Sequence, residues 1–246
     1  MLNNFKNIIK KAIKSQIKKM GYEVKNIKSI CEYNKRLDND YYRLFSLANK
    51  NNENLKIKLH FGCGCRIFKG WINMDLQYSY MTDKNVLRIY GNSYPEEMRG
   101  SKEDFYLLEV TKKKLPFPDN SVDVIFHEDF IEHLNQENQI IFLSETLRVL
   151  KPGCVHRVNT PNLIISMKKN SIFNKGIDGV YVEEWEINEH INILTPNLLN
   201  ELALLVGYKK VIFNNRNNSI SDLIPLEYRP TFDREENGNI FADLIK

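Results

Sequence analysis

Long apolar runs are missing from this chain. No stretch approaches the ~18 consecutive apolar residues that mark a membrane-spanning helix, so no span is expected. The N-terminal residues have no continuous apolar core followed by a small-residue cleavage site, so no secretory signal is expected either. Cysteine is scarce, with only Cys31, Cys63, Cys65 and Cys154. Cys63 and Cys65 are too close for an ordinary disulfide, and no second pair stands at zinc spacing. Reduced thiols in a cytoplasmic chain, and no metal centre, are therefore expected. The excess of positive charge is mild, a formal +4. It forms no dense basic stripe of the kind a nucleic-acid binder shows. Internal repeats and low-complexity linkers are also missing. What is present is a globular balance, 42% hydrophobic and 27% charged over 246 residues. That suits one α/β domain with an extension.

The chain is organised around residues 55–65. Leu55, Ile57, Leu59 and Phe61 alternate with polar residues, the period of a strand. The strand runs directly into Gly62-Cys63-Gly64. Glycine permits positive φ and lets a ligand approach where a Cβ would stand. A strand entering a glycine turn is the nucleotide-type corner of an open α/β sheet, with the ligand outside the carboxyl ends of the strands. Residues 71–75 read as a second short strand ending in Asp75. In dinucleotide folds the acidic residue that binds ribose hydroxyls comes about 20 residues after the glycines. Asp75 comes sooner, so the intervening helix is very short or missing, which counts against an NAD-binding unit. An NAD-dependent sugar-modifying enzyme would also need a third glycine, and Cys65-Arg66-Ile67 does not supply it.

Before this core, residues 1–20 have a helical period. Phe5, Ile8, Ile9, Ala12, Ile13, Ile17 and Met20 share one side, and lysines cover most of the remainder. Such a helix packs on protein or lies on an anionic membrane face as a peripheral contact. Residues 22–54 are polar, with a short helix expected over 41–48. The boundaries are 1–54 for the extension and 55–246 for the domain. After the core, residues 105–110 form a third strand, with Glu109 and Val110 near its exit, and 121–126 a fourth, mostly apolar and suited to a central parallel position. A helix starts near Asn135 and stops at Pro152-Gly153. A fifth strand covers 154–160. Residues 162–192 are a long insertion rich in aromatic and acidic residues, including Tyr181 and Trp185, of the kind used as lids or binding loops. Thr195-Pro196 opens another helix, ended by Gly207. A sixth strand spans 210–214, and a further edge strand is expected near 220–228.

Five segments in order resemble the class I S-adenosylmethionine-dependent methyltransferases, in particular the methyltransferase type 11-like group of bacterial surface-glycan clusters. They are Leu59-His60-Phe61-Gly62-Cys63-Gly64, Gly70-Trp71-Ile72-Asn73-Met74-Asp75, the run from Leu115 through Asp123 to Ile125 with Ile131-Glu132-His133-Leu134, Arg148-Val149-Leu150-Lys151-Pro152-Gly153, and Arg157-Val158-Asn159-Thr160-Pro161-Asn162-Leu163. The resemblance covers about residues 55–214. It implies a Rossmann-like sheet of seven strands, mostly parallel, with helices on both faces and one antiparallel strand near the C-terminus. It implies S-adenosylmethionine as cofactor, with Phe61, Gly62, Cys63 and Gly64 by its methionine part, Asp75 on the ribose and Glu109 and Val110 by the adenine. His127 and Glu128 would lie at the reaction cleft. Cys65 and Cys154 depart from the family's usual glycines.

A hydroxyl acceptor needs a base with a pKa near working pH, most simply histidine. His127 and His190 rank first among His127, His133, His156 and His190. His60, inside the first strand, and His133, in the Glu-His-Leu segment, read as structural. Arg157 is a candidate for holding an anionic acceptor through paired hydrogen bonds, with Tyr181 and Trp185 beside it. Methyltransferases acting on amide or base nitrogens often carry Asn/Asp-Pro-Pro-Tyr/Phe after the fourth strand. Here His127-Glu128-Asp129-Phe130 stands instead. The acceptor expected is a small molecule: a sugar, a nucleotide sugar or a phosphoryl or phosphoramidate intermediate of surface-polysaccharide (capsule or lipopolysaccharide) synthesis. A catalytically silent binding subunit on the same fold is the other reading.

Overall fold

Strand β1 (Lys58–Phe61) is an interior strand of a seven-stranded sheet. The structure, a computed structural model, describes residues 27–49, 56–79, 94–169, 181–225 and 238–246. The helix expected over 1–20 lies outside the described residues, together with its membrane reading. Two units are distinguished, Met1–Asn39 and Asp40–Lys246. The described part of the first is the beginning of helix α1 (Ile27–Ala48), far longer than the segment 41–48 expected. Its polar, weakly periodic start hid it from a reading by hydrophobic pattern.

The other strands are β2 (Ile72–Asp75), β3 (Phe105–Leu107), β4 (Val122–Glu128), β5 (Leu150–Pro161), β6 (Lys210–Asn214) and β7 (Asn239–Ile245). They run in the order β3-β2-β1-β4-β5-β7-β6. β1 to β5 are mutually parallel, and β7 is antiparallel to both of its neighbours. This is the seven-stranded, mostly parallel sheet expected. The last strand corrects the expectation in place and position. Residues 220–224 form turns, 226–228 lie outside the described residues, and the closing strand comes later, threaded between β5 and β6 rather than at the edge. Asp243 interrupts its apolar pattern yet is fully buried. Its carboxylate accepts from Ile220 N–H at 2.8 Å and Asn214 Nδ2 at 2.7 Å.

The opposite edge is β3, whose outer backbone groups need partners. Helix α1 supplies them from within the second unit. Asp40 Oδ2 accepts from Leu107 N–H at 2.9 Å, and Arg43 reaches the carbonyl of Phe105 at 3.5 Å and that of Glu103, just before the strand, at 3.3 Å.

Side chains alternate between the two faces of β1 and β4. Leu59, Phe61 and Ile125 join one core with Phe142 and Leu143 of α2 (Gln136–Val149) and Leu199, Leu202 and Ala203 of α3 (Pro196–Val206). On the other face Val124 and Phe126 meet Phe68, Trp71 and Tyr94. His60 is stacked between Phe68 and Phe126, at ring centroid distances of 4.6 and 5.1 Å. Both helices start as the sequence predicts. Asn135 Oδ1 accepts from Asn138 N–H at 2.8 Å, and Thr195 Oγ1 accepts from Leu198 N–H at 3.2 Å. No helix fills the short link between β1 and β2, in keeping with the early arrival of Asp75. The strand order turns back between β1 and β4, and such a switch point opens a crevice at the carboxyl ends of the strands.

Candidate active site at the carboxyl edge of the sheet

Gly62 and Gly64 follow β1 with φ of +58° and +53°, the left-handed region that glycine enters without strain. Their roles differ. A Cβ on Gly62 would come within 2.5 Å of the Phe130 ring, so Gly62 serves packing as well as the turn. A Cβ on Gly64 would meet nothing within 4 Å, so the chain is open there. Asp75 closes the turn from the tip of β2. Its Oδ2 accepts from Gly64 N–H at 2.8 Å, and Oδ1 accepts from Leu76 N–H at 2.6 Å. Cys63 N–H donates to Met74 O at 3.3 Å, which joins the two strand tips again. Each carboxylate oxygen has a second lone pair, so Asp75 keeps acceptor capacity beside the open glycine.

Leu108 N–H donates to Asp75 O at 3.1 Å, and the next residue, Glu109, follows β3 beside the β2 tip. Its carboxylate pairs with Lys112 at 2.7 Å. Val110 is buried among the core residues. Phe61 and Cys63 are buried, and Phe61 packs edge-on against Phe142 at 5.1 Å, so its ring belongs to the core. Burial holds the Cys63 thiol protonated, well above its ordinary pKa.

Glu128, the last residue of β4, is held by Arg66 and Asn159, with Asn239 behind Asn159. Arg66 forms a buried ion pair with it, and Asn159 Nδ2 donates to its Oε1 at 2.8 Å. Asn239 Nδ2 then donates to Asn159 Oδ1 at 2.7 Å. The pair ties the loop after the glycines to the neighbouring strand tips. Neither Arg66 nor Asn159 was singled out in the sequence. The signal was positional: Arg66 follows the carboxyl end of β1 and Asn159 stands near that of β5, the strand beside β4.

Two predicted site residues are corrected. His127 was expected at the cleft as base and cofactor neighbour. Alternation along β4 turns it to the opposite face from Glu128. It is fully buried among Phe130, Phe142 and His156, at ring distances of 5.0 to 5.8 Å. Neither ring nitrogen has a hydrogen-bond partner among the described residues. Desolvation lowers its pKa to about 3, so it is a neutral core residue near pH 7. Arg157 was expected to hold an anionic acceptor. It is fully buried and its guanidinium is committed internally. It donates to the carbonyls of Asn218 and Asn215, each at 3.0 Å, and faces Asp243 at 3.3 Å.

His156 is likewise structural, with Nδ1 2.9 Å from the Tyr208 hydroxyl. His60 remains a core residue, its Nδ1 3.0 Å from Asn73 Oδ1 and its pKa lowered to about 3 by burial. Asn73, given no role of its own in the sequence, also holds Phe68, Trp71 and Asp104 through their backbones.

His190 enters a different cluster. Its Nδ1 lies 2.9 Å from Glu184 Oε2, and Ser166 Oγ donates to the other oxygen of Glu184. A carboxylate only accepts, so Nδ1 donates to Glu184 and Nε2 is the ring's other nitrogen. That nitrogen lies 3.9 Å from Glu132 Oε1, and Thr160 Oγ1 donates to Glu132 Oε2 at 2.9 Å. The His133 ring lies 5.0 Å from that of His190 and is exposed, not packed away as expected. Trp185 is half-buried beside Glu184 in the π-helical turn Tyr181–Ile187. The side chain of Tyr181 lies outside the described residues.

Residues 59–157 match the family model of a methyltransferase domain. A probable S-adenosylmethionine-dependent methyltransferase of Mycolicibacterium smegmatis is 53% identical over 51 residues, 21% of this chain and 19% of that protein. The chain thus spans about a fifth of the length of this curated relative. Among solved structures, a SAM-dependent methyltransferase from Archaeoglobus fulgidus aligns over 84% of this chain and 90% of its own, with 14% identity and a TM-score of 0.47. A possible histamine N-methyltransferase from Thermotoga maritima aligns over 89% and 97%, with 16% identity and a TM-score of 0.44.

Proposed function

We infer that this chain, whose residues 59–157 match a methyltransferase domain, is an S-adenosylmethionine-dependent methyltransferase of class I. The observation that carries the reading is the clasp at the switch point. An acidic side chain at the β2 tip fixes a glycine turn whose outer side is open. The residues present fit the cofactor. Gly62 to Gly64 would hold its methionine part, Asp75 the ribose hydroxyls and Glu109 with Val110 the adenine side. When bound, the cofactor supplies a methyl group on a positively charged sulfur.

The chain's own part is alignment and proton handling. Transfer from a sulfonium is an in-line displacement, and holding the acceptor in line contributes several kcal/mol. The ion pair of Arg66 and Glu128 fixes the loop behind the glycines, so the turn is preorganised before anything binds. His190, held at Nδ1 by Glu184, is the residue proposed to take an acceptor's proton at Nε2.

The acceptor proposed is a hydroxyl of a sugar or nucleotide sugar in surface-polysaccharide synthesis. His127-Glu128-Asp129-Phe130 replaces the Asn/Asp-Pro-Pro-Tyr/Phe segment of nitrogen methylators, and the segment 162–192 is rich in aromatic and acidic groups. A phosphoryl acceptor lost its support when Arg157 proved buried and committed to carbonyls.

Calorimetric titration with S-adenosylhomocysteine tests the reading. Saturable binding that Asp75→Ala weakens is expected. Absence of binding, or binding indifferent to that substitution, overturns it. Release of S-adenosylhomocysteine with a panel of sugar nucleotides then tests the acceptor.

A further inference from the structure

Cysteine spacing pointed to no metal centre, yet the fold brings three other candidate ligands together. Glu132 and His133 lie on the 3-10 turn Ile131–His133, four and five residues past the end of β4. His190 arrives from the far end of the segment 162–192. One carboxylate oxygen and one nitrogen from each histidine all lie within 4.8 Å of one another. We propose that Glu132, His133 and His190 form a binding site for a divalent first-row transition ion.

Three observations carry the assignment. The donor set is two imidazoles and one carboxylate, which suits zinc, iron, cobalt, nickel or manganese over calcium or magnesium. The ligands are also held from behind, as in metal sites where the second ring nitrogen donates to a carboxylate. Glu184 holds His190 Nδ1, Ser166 holds Glu184, and Thr160 holds Glu132 Oε2, leaving Glu132 Oε1 facing His190 Nε2 at 3.9 Å. Lastly, the site has an entrance. Glu132 and His190 are buried, whereas His133 is exposed, so an ion arrives from the His133 side.

Ligand atoms bound at about 2.1 Å stand about 3 to 3.5 Å apart. Separations of up to 4.8 Å therefore close by about 1.3 to 1.8 Å at most; the exposed His133 side chain can supply its share by rotation, and the Glu132–His190 pair, 3.9 Å apart, has less than about 1 Å to close. Three protein ligands leave positions for water or for an oxygen of a substrate. The site lies past the β4 tip, on the edge that carries the glycine turn. The proposal does not depend on the methyl-transfer reading; with an ion bound, His190 would be its ligand and not the acceptor's base.

The test uses the full chain, stripped with a chelator and titrated with Co2+ and Zn2+ by calorimetry, with the Co2+ spectrum recorded. One equivalent should bind, with visible d–d bands and no thiolate-to-metal charge-transfer band. His133→Ala should weaken binding by at least about tenfold and leave S-adenosylhomocysteine affinity unchanged. Glu132→Gln, which keeps an acceptor for Thr160, should weaken metal binding similarly and serves if His133→Ala fails to fold. No binding by the wild-type chain would show that the cluster is a hydrogen-bonded strut, and so overturn the proposal. A charge-transfer band would place the ion on cysteine and also overturn it, as would variants that bind as tightly as wild type.

Discussion

Gly64 N–H donates to Asp75 Oδ2 at 2.8 Å, so one carboxylate both fixes the glycine turn and faces the space the turn leaves open. Asp75→Ala removes this bond and the bond from Leu76 N–H. Hydrogen bonds to a charged group contribute about 1.5 to 3 kcal/mol each, less where water competes, and Asp75 is only half-buried. Loss of about 2 kcal/mol of stability is expected in urea titrations. Cofactor affinity should fall by at least about tenfold, or about 1.4 kcal/mol. Asp75→Asn, which retains an acceptor oxygen, should recover most of the stability and only part of the affinity.

The two glycines of the turn should separate in the same assays. Left-handed backbone costs a residue with a Cβ about 1 to 2 kcal/mol, and both positions carry that cost. Only Gly62→Ala adds a collision, since its Cβ would lie 2.5 Å from Phe130 Cδ2 and 2.7 Å from Phe130 Cβ. Gly62→Ala should therefore lower the thermal midpoint by clearly more than Gly64→Ala. Gly64→Ala puts a methyl group into the open side of the turn. It should lower S-adenosylhomocysteine affinity out of proportion to its effect on stability.

Local signals made much of the fold legible. The period-2 strand before Gly62, the Asn135 and Thr195 caps and the apolar β4 are set by neighbours a few residues away. The structure has each of them close to where the sequence puts it. What was not legible depends on distant partners. β4 is apolar on both faces, so nothing in its own residues tells which face His127 takes. That is settled by where Phe142 of α2 packs. β7 was missed because Asp243 reads as a surface residue until Asn214 and Ile220 are seen to bond it. His190 gains its role from Glu184 and Glu132, one six residues away and the other across the fold. The clasp was legible because glycine and an acidic strand end are demands that a turn imposes locally.

Arg157 should behave as a keystone of the sheet. Its guanidinium ties β5 to the carbonyls of Asn215 and Asn218 and faces Asp243 of β7. Removing one partner of a buried ion pair costs about 3 to 5 kcal/mol, because the other charge is left uncompensated. Arg157→Met should lose about that much stability. The double variant with Asp243→Asn should lose less than the two single changes added together. An unchanged thermal midpoint with a raised KM for the acceptor would return Arg157 to the binding site.

Acid should destabilise the protein through histidines that carry no catalytic duty. Burial lowers the pKa of His60 and His127 to about 3 and that of His156 well below its usual value. In the unfolded chain each returns to about 6.5. Below that value the unfolded state takes up protons that the folded state refuses. The stability gained by keeping these rings neutral is fully present above pH 6.5. It is lost as pH falls from there toward 3, at up to about 1.4 kcal/mol per histidine per pH unit. The midpoint of urea unfolding, followed from pH 7 to pH 4.5, should show this slope. His127→Leu removes one of the three groups and sacrifices no hydrogen bond, because neither nitrogen has a partner among the described residues. The variant should fold, show a shallower acid slope and bind S-adenosylhomocysteine as the wild type does. Loss of turnover in a variant that folds and binds normally would restore His127 to the catalytic cleft.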